Sequence, residues 1–316
     1  MNSSATLTVH DCHPAVDSFA EEVLHGLRQP SKQIPCKFFY DARGSELFDQ
    51  ICDLPEYYLT RCELQIMRQH ICEIADTLGP RCSIIEYGSG SSLKTDILLD
   101  HLHEPAAYVP IDISRGHLLH AARRLRAKYP RLEILPVCAD YTREYTLPDY
   151  PDASQPVVYF PGSTIGNFDP REARIFLRKI RQIARALLIG VDLKKDPRIL
   201  HAAYNDSAGV TANFNLNLLD RINRELDGSF NCSRFGHYAF YNPQMARIEM
   251  HLVSLESQFA RAAGECFGIA DGESIFTESS YKYSLGDFRS LAADAGFNVQ
   301  RVWTDDDGHF SVQYLE

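Results

Sequence analysis

The chain has one tryptophan, four methionines and no Cys-x-x-Cys pair, although nine cysteines are spread over its 316 residues. The cysteine count is odd and runs without pattern from Cys12 to Cys266, which argues against a disulfide framework and against a zinc ribbon. Positive charge is also scarce: 32 Lys and Arg against 42 Asp and Glu leave a net charge of −10. A nucleic-acid partner needs a basic track along its phosphates, so nucleic acid is excluded as substrate. The densest basic cluster, Arg123-Arg124-Leu125-Arg126, reads as the solvated face of a helix. No apolar run approaches the roughly 18 residues that span a bilayer, and Met1-Asn2-Ser3-Ser4 has no charged-then-apolar leader. A soluble, cytoplasmic chain with no membrane partner is expected. His10-Asp11-Cys12-His13 carries donor atoms for a metal but lies in what reads as a mobile tail, and no metal is expected. Internal repeats, low-complexity tracts and flexible linkers are absent. The length and 45% hydrophobic content suffice for a large core and predict one large domain plus an elaboration.

What is present is concentrated in Ile84-Ile85-Glu86-Tyr87-Gly88-Ser89-Gly90-Ser91-Ser92-Leu93-Lys94, followed by Tyr108-Val109-Pro110-Ile111-Asp112. These read as two consecutive strand ends of a nucleotide-binding α/β fold. The Gly-Ser-Gly turn lets a ligand approach the backbone, and the next helix offers free N–H groups. Asp112, about 20 residues after the glycines, suits the two hydroxyls of a ribose. The loop is Gly-x-Gly-x-x-Leu, and Glu86 precedes it. An acidic turn would repel a pyrophosphate but suits a sulfonium, so the pattern points to S-adenosylmethionine rather than a dinucleotide.

Strand and helix signals then alternate as in a parallel sheet. Strands are predicted near 83–87, 107–111, 132–137, 157–160 and 187–191. Helices are predicted over 94–102, from a Ser114 cap to about 129, and over 171–184. A last helix over 285–295 and two strands, 299–303 and 310–314, close the chain around Asp305-Asp306-Asp307-Gly308. The reading divides the chain into a cofactor-binding domain, 62–192 with 284–316, and a second lobe, 1–61 with 193–283, over the carboxyl ends of the strands. Candidate polar residues fall in Phe38–Ser45, Leu54–Arg61, Pro161–Phe168, Ala203–Thr211 and Phe276–Ser280. Taken singly, each tyrosine there is best read as a core-edge residue and Glu278 as a capping acid. Asn167 offers an acceptor and a donor together, as an amino-acid head group requires.

As a set, these segments closely resemble the histidine-specific Nα-methyltransferases of ergothioneine biosynthesis, which make hercynine from L-histidine and S-adenosylmethionine. The resemblance runs through Phe39-Tyr40-Asp41, Gly44-Ser45, Leu54-Pro55-Glu56-Tyr57-Tyr58, Gly88-Ser89-Gly90, Gly162-Ser163-Thr164-Ile165-Gly166-Asn167, Ala208-Gly209-Val210-Thr211, Ile248-Glu249-Met250 and Thr277-Glu278. It implies a class I (Rossmann-like) S-adenosylmethionine-dependent methyltransferase of α/β class with an α+β substrate lobe, acting on L-histidine; a monomer is expected. Tyr57, Asn167 and Tyr204 would hold the α-amino and carboxylate groups, with Asn167 and Tyr204 as the catalytic pair. Glu278 and Ser280 would grip the imidazole, Tyr40 would reach it through water, and Met250 would line the ring pocket. Gly88, Gly90, Lys94, Asp112, Asp140 and Tyr141 would face the cofactor. The chain departs from the family pattern at Ser92-Leu93, where Ser-Glu is familiar, at Tyr141, where Phe is, and at Ser279, usually apolar.

The chemistry implied is an in-line displacement at a methyl carbon, with no metal and no covalent enzyme intermediate. An Nα-methyltransferase of tryptophan or tyrosine, and a non-catalytic S-adenosylmethionine-binding protein, are the competing readings. Glu278 beside Met250 favours histidine. An NAD-dependent oxidoreductase is disfavoured by Glu86 and the acid-rich loop.

Overall fold

The computed structural model describes residues 8–12, 16–90, 93–151 and 155–316. Strand β1 (His10–Asp11) precedes three helices, α1 (Val16–Leu27), α2 (Ala42–Asp53) and α3 (Tyr58–Leu78). Next come β2 (Cys82–Tyr87), α4 (Leu93–His101), β3 (Ala107–Asp112), α5 (Arg115–Lys128), β4 (Glu133–Ile134) and β5 (Val137–Cys138). The alternation ends with β6 (Gln155–Phe160), α6 (Pro170–Ile183) and β7 (Ala186–Asp192). Helices α7 (Pro197–Tyr204) and α8 (Val210–Glu225) lead into β8 (Phe235–Asn242), β9 (Arg247–Ser254), β10 (Gln258–Ala262), β11 (Glu265–Ile269) and β12 (Ser274–Tyr281). The chain closes with α9 (Leu285–Asp294), β13 (Val299–Thr304) and β14 (Phe310–Leu315).

The large sheet runs β1-β5-β3-β2-β6-β7-β14-β13, with β4 beside β3. Its pairs are parallel as far as β7, and β14 then lies antiparallel to both β7 and β13. Every residue of β2 and β7 is buried, because helices cover both faces, which is why these strands read as unbroken apolar runs. The chain winds outward from β2 through β3 to β5, then crosses back to β6. The loops after β2 and β6 therefore leave the sheet side by side at the point where the winding reverses, the usual ligand crevice of such sheets. Among the described residues no helix is long and apolar enough to cross a membrane.

The structure corrects the sequence reading in three places. Two residues of the N-terminal segment are pinned: His10 and Asp11 pair with Val137 and Cys138, so part of the 1–61 block belongs to the large sheet. The strand expected over 132–137 is two short strands, since Pro136 has no N–H for the ladder. Ser114 stands at the start of α5, but its side chain makes no cap; its own N–H is instead held by Asp112 Oδ1 at 2.8 Å.

Strands β12-β9-β8 form a separate antiparallel sheet, and β10-β11 a hairpin. The segment before α2 hydrogen-bonds to this sheet, Ile34 N to Phe276 O and Phe276 N to Lys32 O at 2.9 Å each, and α2 packs on α8. Those contacts bring the N-terminal block over the crevice together with residues 193–283.

Candidate active site

The loop after β6 forms one wall. A short 3-10 turn, Thr164–Asn167, lies against the end of β12, and a Cβ on Gly166 would fall 2.8 Å from the Tyr281 carbonyl oxygen. Only glycine permits that approach. Ser163 adopts a left-handed backbone (φ 56°), a strained choice for a non-glycine residue that its side chain offsets by accepting Asp192 N–H at 2.9 Å. The fully buried Glu63 of α3 accepts Gly162 N–H at 2.9 and 3.1 Å and Lys94 Nζ at 2.5 Å, tying the loop after β6 and the first turn of α4 to one helix.

Strand β12 supplies the adjoining wall. Phe276 pairs with His251 but Glu278 pairs with Met250, so a one-residue bulge falls at Thr277. A bulge re-aims the strand beyond it. Glu278, Ser280 and Lys282 then share one face by the two-residue period of a strand, and Ser279 takes the other. Tyr204 arrives at the last position of α7, Tyr57 at the start of α3, and Tyr40 just before α2. Tyr57 and Tyr204 meet edge to face at 6.2 Å, and Tyr40 packs the same way on Phe48 and Phe214 at 5.6 and 5.9 Å.

These parts surround one small cavity, partly open to solvent, lined by all seven residues expected at the substrate: Tyr40, Tyr57, Asn167, Tyr204, Met250, Glu278 and Ser280. Phe48 and Phe214, which sequence reasoning did not single out, also line it, together with Thr164 and Thr211. Side chains of Tyr40, Tyr57, Asn167 and Glu278 make no hydrogen bond to any described residue. So many unmet polar groups around one space are expected of a polar ligand's site. Burial pushes the Glu278 carboxyl up to about 7, with Lys282 pulling the other way. Burial also raises the Tyr57 and Tyr40 hydroxyls well above their usual range, which leaves them neutral.

Tyr204 and Ser280 rest on a buried ionic group absent from the sequence reading. Lys282 donates to Asp192 at 2.7 Å, and Asp192 also receives Lys195 at 2.5 Å and the Tyr58 hydroxyl at 2.8 Å. A sequence signal for Lys282 did exist, in the two-residue polar period it shares with Glu278 and Ser280. Asp192 is signalled only by its place at the end of the last parallel strand.

Of the residues expected at the cofactor, Gly88, Gly90 and Asp112 come together. Gly88 is left-handed (φ 68°) with no atom within 4 Å of where a Cβ would stand, and Gly90 N–H points to Asp112 Oδ2 at 3.4 Å. The buried Ser89 hydroxyl has no partner among the described residues. This open, donor-lined turn beside a carboxylate at the end of β3 fits a nucleoside ligand. Tyr141 is half-buried and packs on Tyr87 and Phe160, with ring centroids 5.1 and 6.1 Å away. Lys94 and Asp140 are engaged within the protein, Lys94 by Glu63 and Asp140 by Lys37 at 2.8 Å and Thr142 N at 3.0 Å. Glu86 is a correction to the sequence argument. It does not make the turn acidic, because both its oxygens are taken by Thr95 and Tyr108 at 2.7–2.9 Å, and burial pushes its carboxyl up to about 7. Of the positions that depart from the family pattern, Leu93 is exposed and Ser279 buried, while Ser92 lies outside the described residues. His10 of the N-terminal His/Cys segment bonds Thr146 at 3.0 Å, and His13 lies outside the described residues. Elsewhere Cys62, Asp305 and His309 bring one potential ligand atom each within 4.8 Å of one another, although Asp305 already accepts Phe310 N at 2.6 Å.

The family model described as histidine-specific methyltransferase, SAM-dependent, matches residues 19–316. Histidine N-alpha-methyltransferase of Mycolicibacterium smegmatis is 41% identical over 94% of this chain and 96% of its own. Its Mycobacterium tuberculosis counterpart is 39% identical over 92% of each chain. Ergothioneine biosynthesis protein 1 of Neurospora crassa is 30% identical over 86% of this chain, which spans 32% of that longer protein. The chain therefore belongs to the histidine-specific, S-adenosylmethionine-dependent methyltransferases.

Proposed function

We propose that this protein moves methyl groups from S-adenosylmethionine to the α-amino nitrogen of L-histidine, three times in succession, giving hercynine on the route to ergothioneine. The observation that carries the reading is the single cavity at the crevice, where the side chains of Glu278, Asn167 and Tyr57, with no hydrogen-bond partner among the described residues, line one space with Ser280 and Tyr204. Tyr57, Asn167 and Tyr204 hold the amino and carboxylate groups. Glu278 accepts a ring N–H, Ser280 meets the other ring nitrogen, Tyr40 reaches the ring through water and Met250 closes its face. Gly88, Gly90, Asp112, Asp140 and Tyr141 border the cofactor, and Lys94 supports that side through Glu63. Residues 62–192 with 284–316 act as the methyltransferase domain, and the remainder, apart from β1, as the substrate lobe.

When bound, S-adenosylmethionine supplies a methyl group on an activated sulfonium. The protein's task is to align the amine and keep its lone pair free. An ammonium must lose a proton before it can attack. Asn167 and Tyr204 present acceptors to the N–H bonds of the neutral amine, and water at the open side of the cavity takes the proton. Gripping the substrate by ring and carboxylate leaves the nitrogen room to grow through two methylated stages. The test is mass spectrometry of histidine incubated with enzyme and S-adenosylmethionine. Mono-, di- and trimethylated species with every methyl on the α-nitrogen are expected. Ring methylation, or tryptophan outcompeting histidine, would overturn the proposal.

A further inference from the structure

The buried ionic group under the cavity has no task in the reading so far. The side chains of Lys282 and Asp192 are wholly buried. Desolvation makes such pairs weak contributors to stability, and an apolar side chain of like size often serves as well. The reason for a buried ammonium here is better sought in what it does to its neighbours. Its three donors are all engaged: Asp192 Oδ2 at 2.7 Å, Ser280 Oγ at 2.8 Å and the Tyr204 hydroxyl at 3.1 Å.

A hydroxyl has one donor and two acceptor lone pairs. Ser280 and Tyr204 each use one lone pair on Lys282. Between the two, the phenol is the stronger acid and the better donor, and Tyr204 donates to Ser280 Oγ at 2.8 Å. Both lone pairs of Ser280 are then filled, and its own hydrogen has no acceptor among the described residues. That hydrogen is left for the cavity. Tyr204 is the reverse case: its hydrogen is committed, and its remaining lone pair is left for the cavity.

We propose that Lys282 is a positioning residue that locks Ser280 as a donor and Tyr204 as an acceptor, so that the ring pocket reads one N–H beside one bare nitrogen. The inference rests on the placement of the histidine ring between Glu278 and Ser280. Glu278 takes the ring N–H, the Ser280 hydrogen meets the bare nitrogen, and the Tyr204 lone pair receives an N–H of the amine. Without the ammonium either hydroxyl can turn and exchange its role with the other. Asp192 holds the ammonium in place, and Lys195 and Tyr58 in turn hold Asp192.

The experiment is a mutant cycle read in steady-state kinetics. Lys282→Met should raise KM for histidine about tenfold or more and leave KM for S-adenosylmethionine within about twofold, since only histidine meets the two hydroxyls. In a Ser280→Ala/Tyr204→Phe background the same change should cost less than about twofold, because no hydroxyl remains to be oriented. A full cost in that background, or a parallel rise in both KM values, would show that Lys282 only supports the fold. Calorimetry with S-adenosylhomocysteine reports whether each variant is folded. Should Lys282→Met fail it, Asp192→Asn, which keeps its volume but loosens the ammonium, should give the same selective rise, and equal weakening of both substrates would overturn the proposal. The single variants Glu278→Ala and Ser280→Ala separate the two layers. If they leave KM for histidine unchanged, the ring placement itself fails. If they raise it while the Lys282 and Asp192 variants do not, the ring placement stands and the role of Lys282 falls.

Discussion

Replacing Glu278 by glutamine should weaken the enzyme and stabilise the protein at the same time. The carboxyl titrates at 4.5 when unperturbed and at about 7 in the fold, where burial is the main cause. A raised carboxyl favours the protonated form in the folded state. Its contribution to stability is therefore fully present below about pH 4.5 and is lost as pH rises through about 7. The rise of about 2.5 pH units (about 7 less 4.5) corresponds to roughly 3 kcal/mol as an upper limit for the ionised form at pH 8. Glutamine has nearly the same shape and no charge to desolvate. With no histidine bound, the variant should melt several degrees above the parent at pH 8, at about 2–4 °C per kcal/mol, and the gap should close towards pH 4.5. The same change removes the acceptor of a charge-assisted bond to the ring, worth about 1.5–3 kcal/mol, so kcat/KM for histidine should fall by roughly 10- to 150-fold. Thermal melts at the two pH values, paired with kinetics at pH 8, decide the matter. A variant no more stable than the parent at pH 8 would refute the penalty on the carboxylate, and an unchanged kcat/KM would refute its contact with the ring.

Other changes separate the parts of the site. Asp112→Ala should weaken S-adenosylmethionine binding in calorimetry without unfolding the chain, through loss of a charged acceptor facing the ribose; unchanged affinity would place the cofactor elsewhere. Asn167→Ala and Tyr204→Phe should depress turnover of histidine and of its partly methylated forms with cofactor affinity nearly intact, whereas equal loss of both ligands would mean collapse of the crevice. Gly166→Ala puts a Cβ 2.8 Å from the Tyr281 carbonyl oxygen and should shift the Asn167 turn, lowering the melting temperature and raising KM for histidine. Glu278→Ala combined with Met250→Val should move the ratio of kcat/KM for histidine over tryptophan towards tryptophan, since the head-group contacts are common to both; a flat ratio would remove Glu278 from specificity.

The parallel body was legible because its signals are local. Buried strands such as Ala186–Asp192 must be apolar throughout, the helices between them repeat at their own period, and Gly88 answers to a left-handed backbone that few other residues tolerate. The residues of the cavity were legible only as a set of short segments resembling a family, for no rule of spacing relates Tyr57 to Tyr204 or to Glu278. What the sequence could not express was pairing at a distance. Glu86 looks like an acidic turn until Thr95 and Tyr108 occupy both its oxygens. Lys94 looks like a free cation until Glu63 of another helix meets it. The bulge at Thr277 decides which face of β12 the cavity sees, and the burial of Lys282 and Asp192 decides which way two hydroxyls point. Local periodicity and backbone chemistry act over a few residues and so can be read along the chain. Desolvation and hydrogen-bond partnership depend on atoms that only the folded chain brings together, and those terms set the polarity of this site.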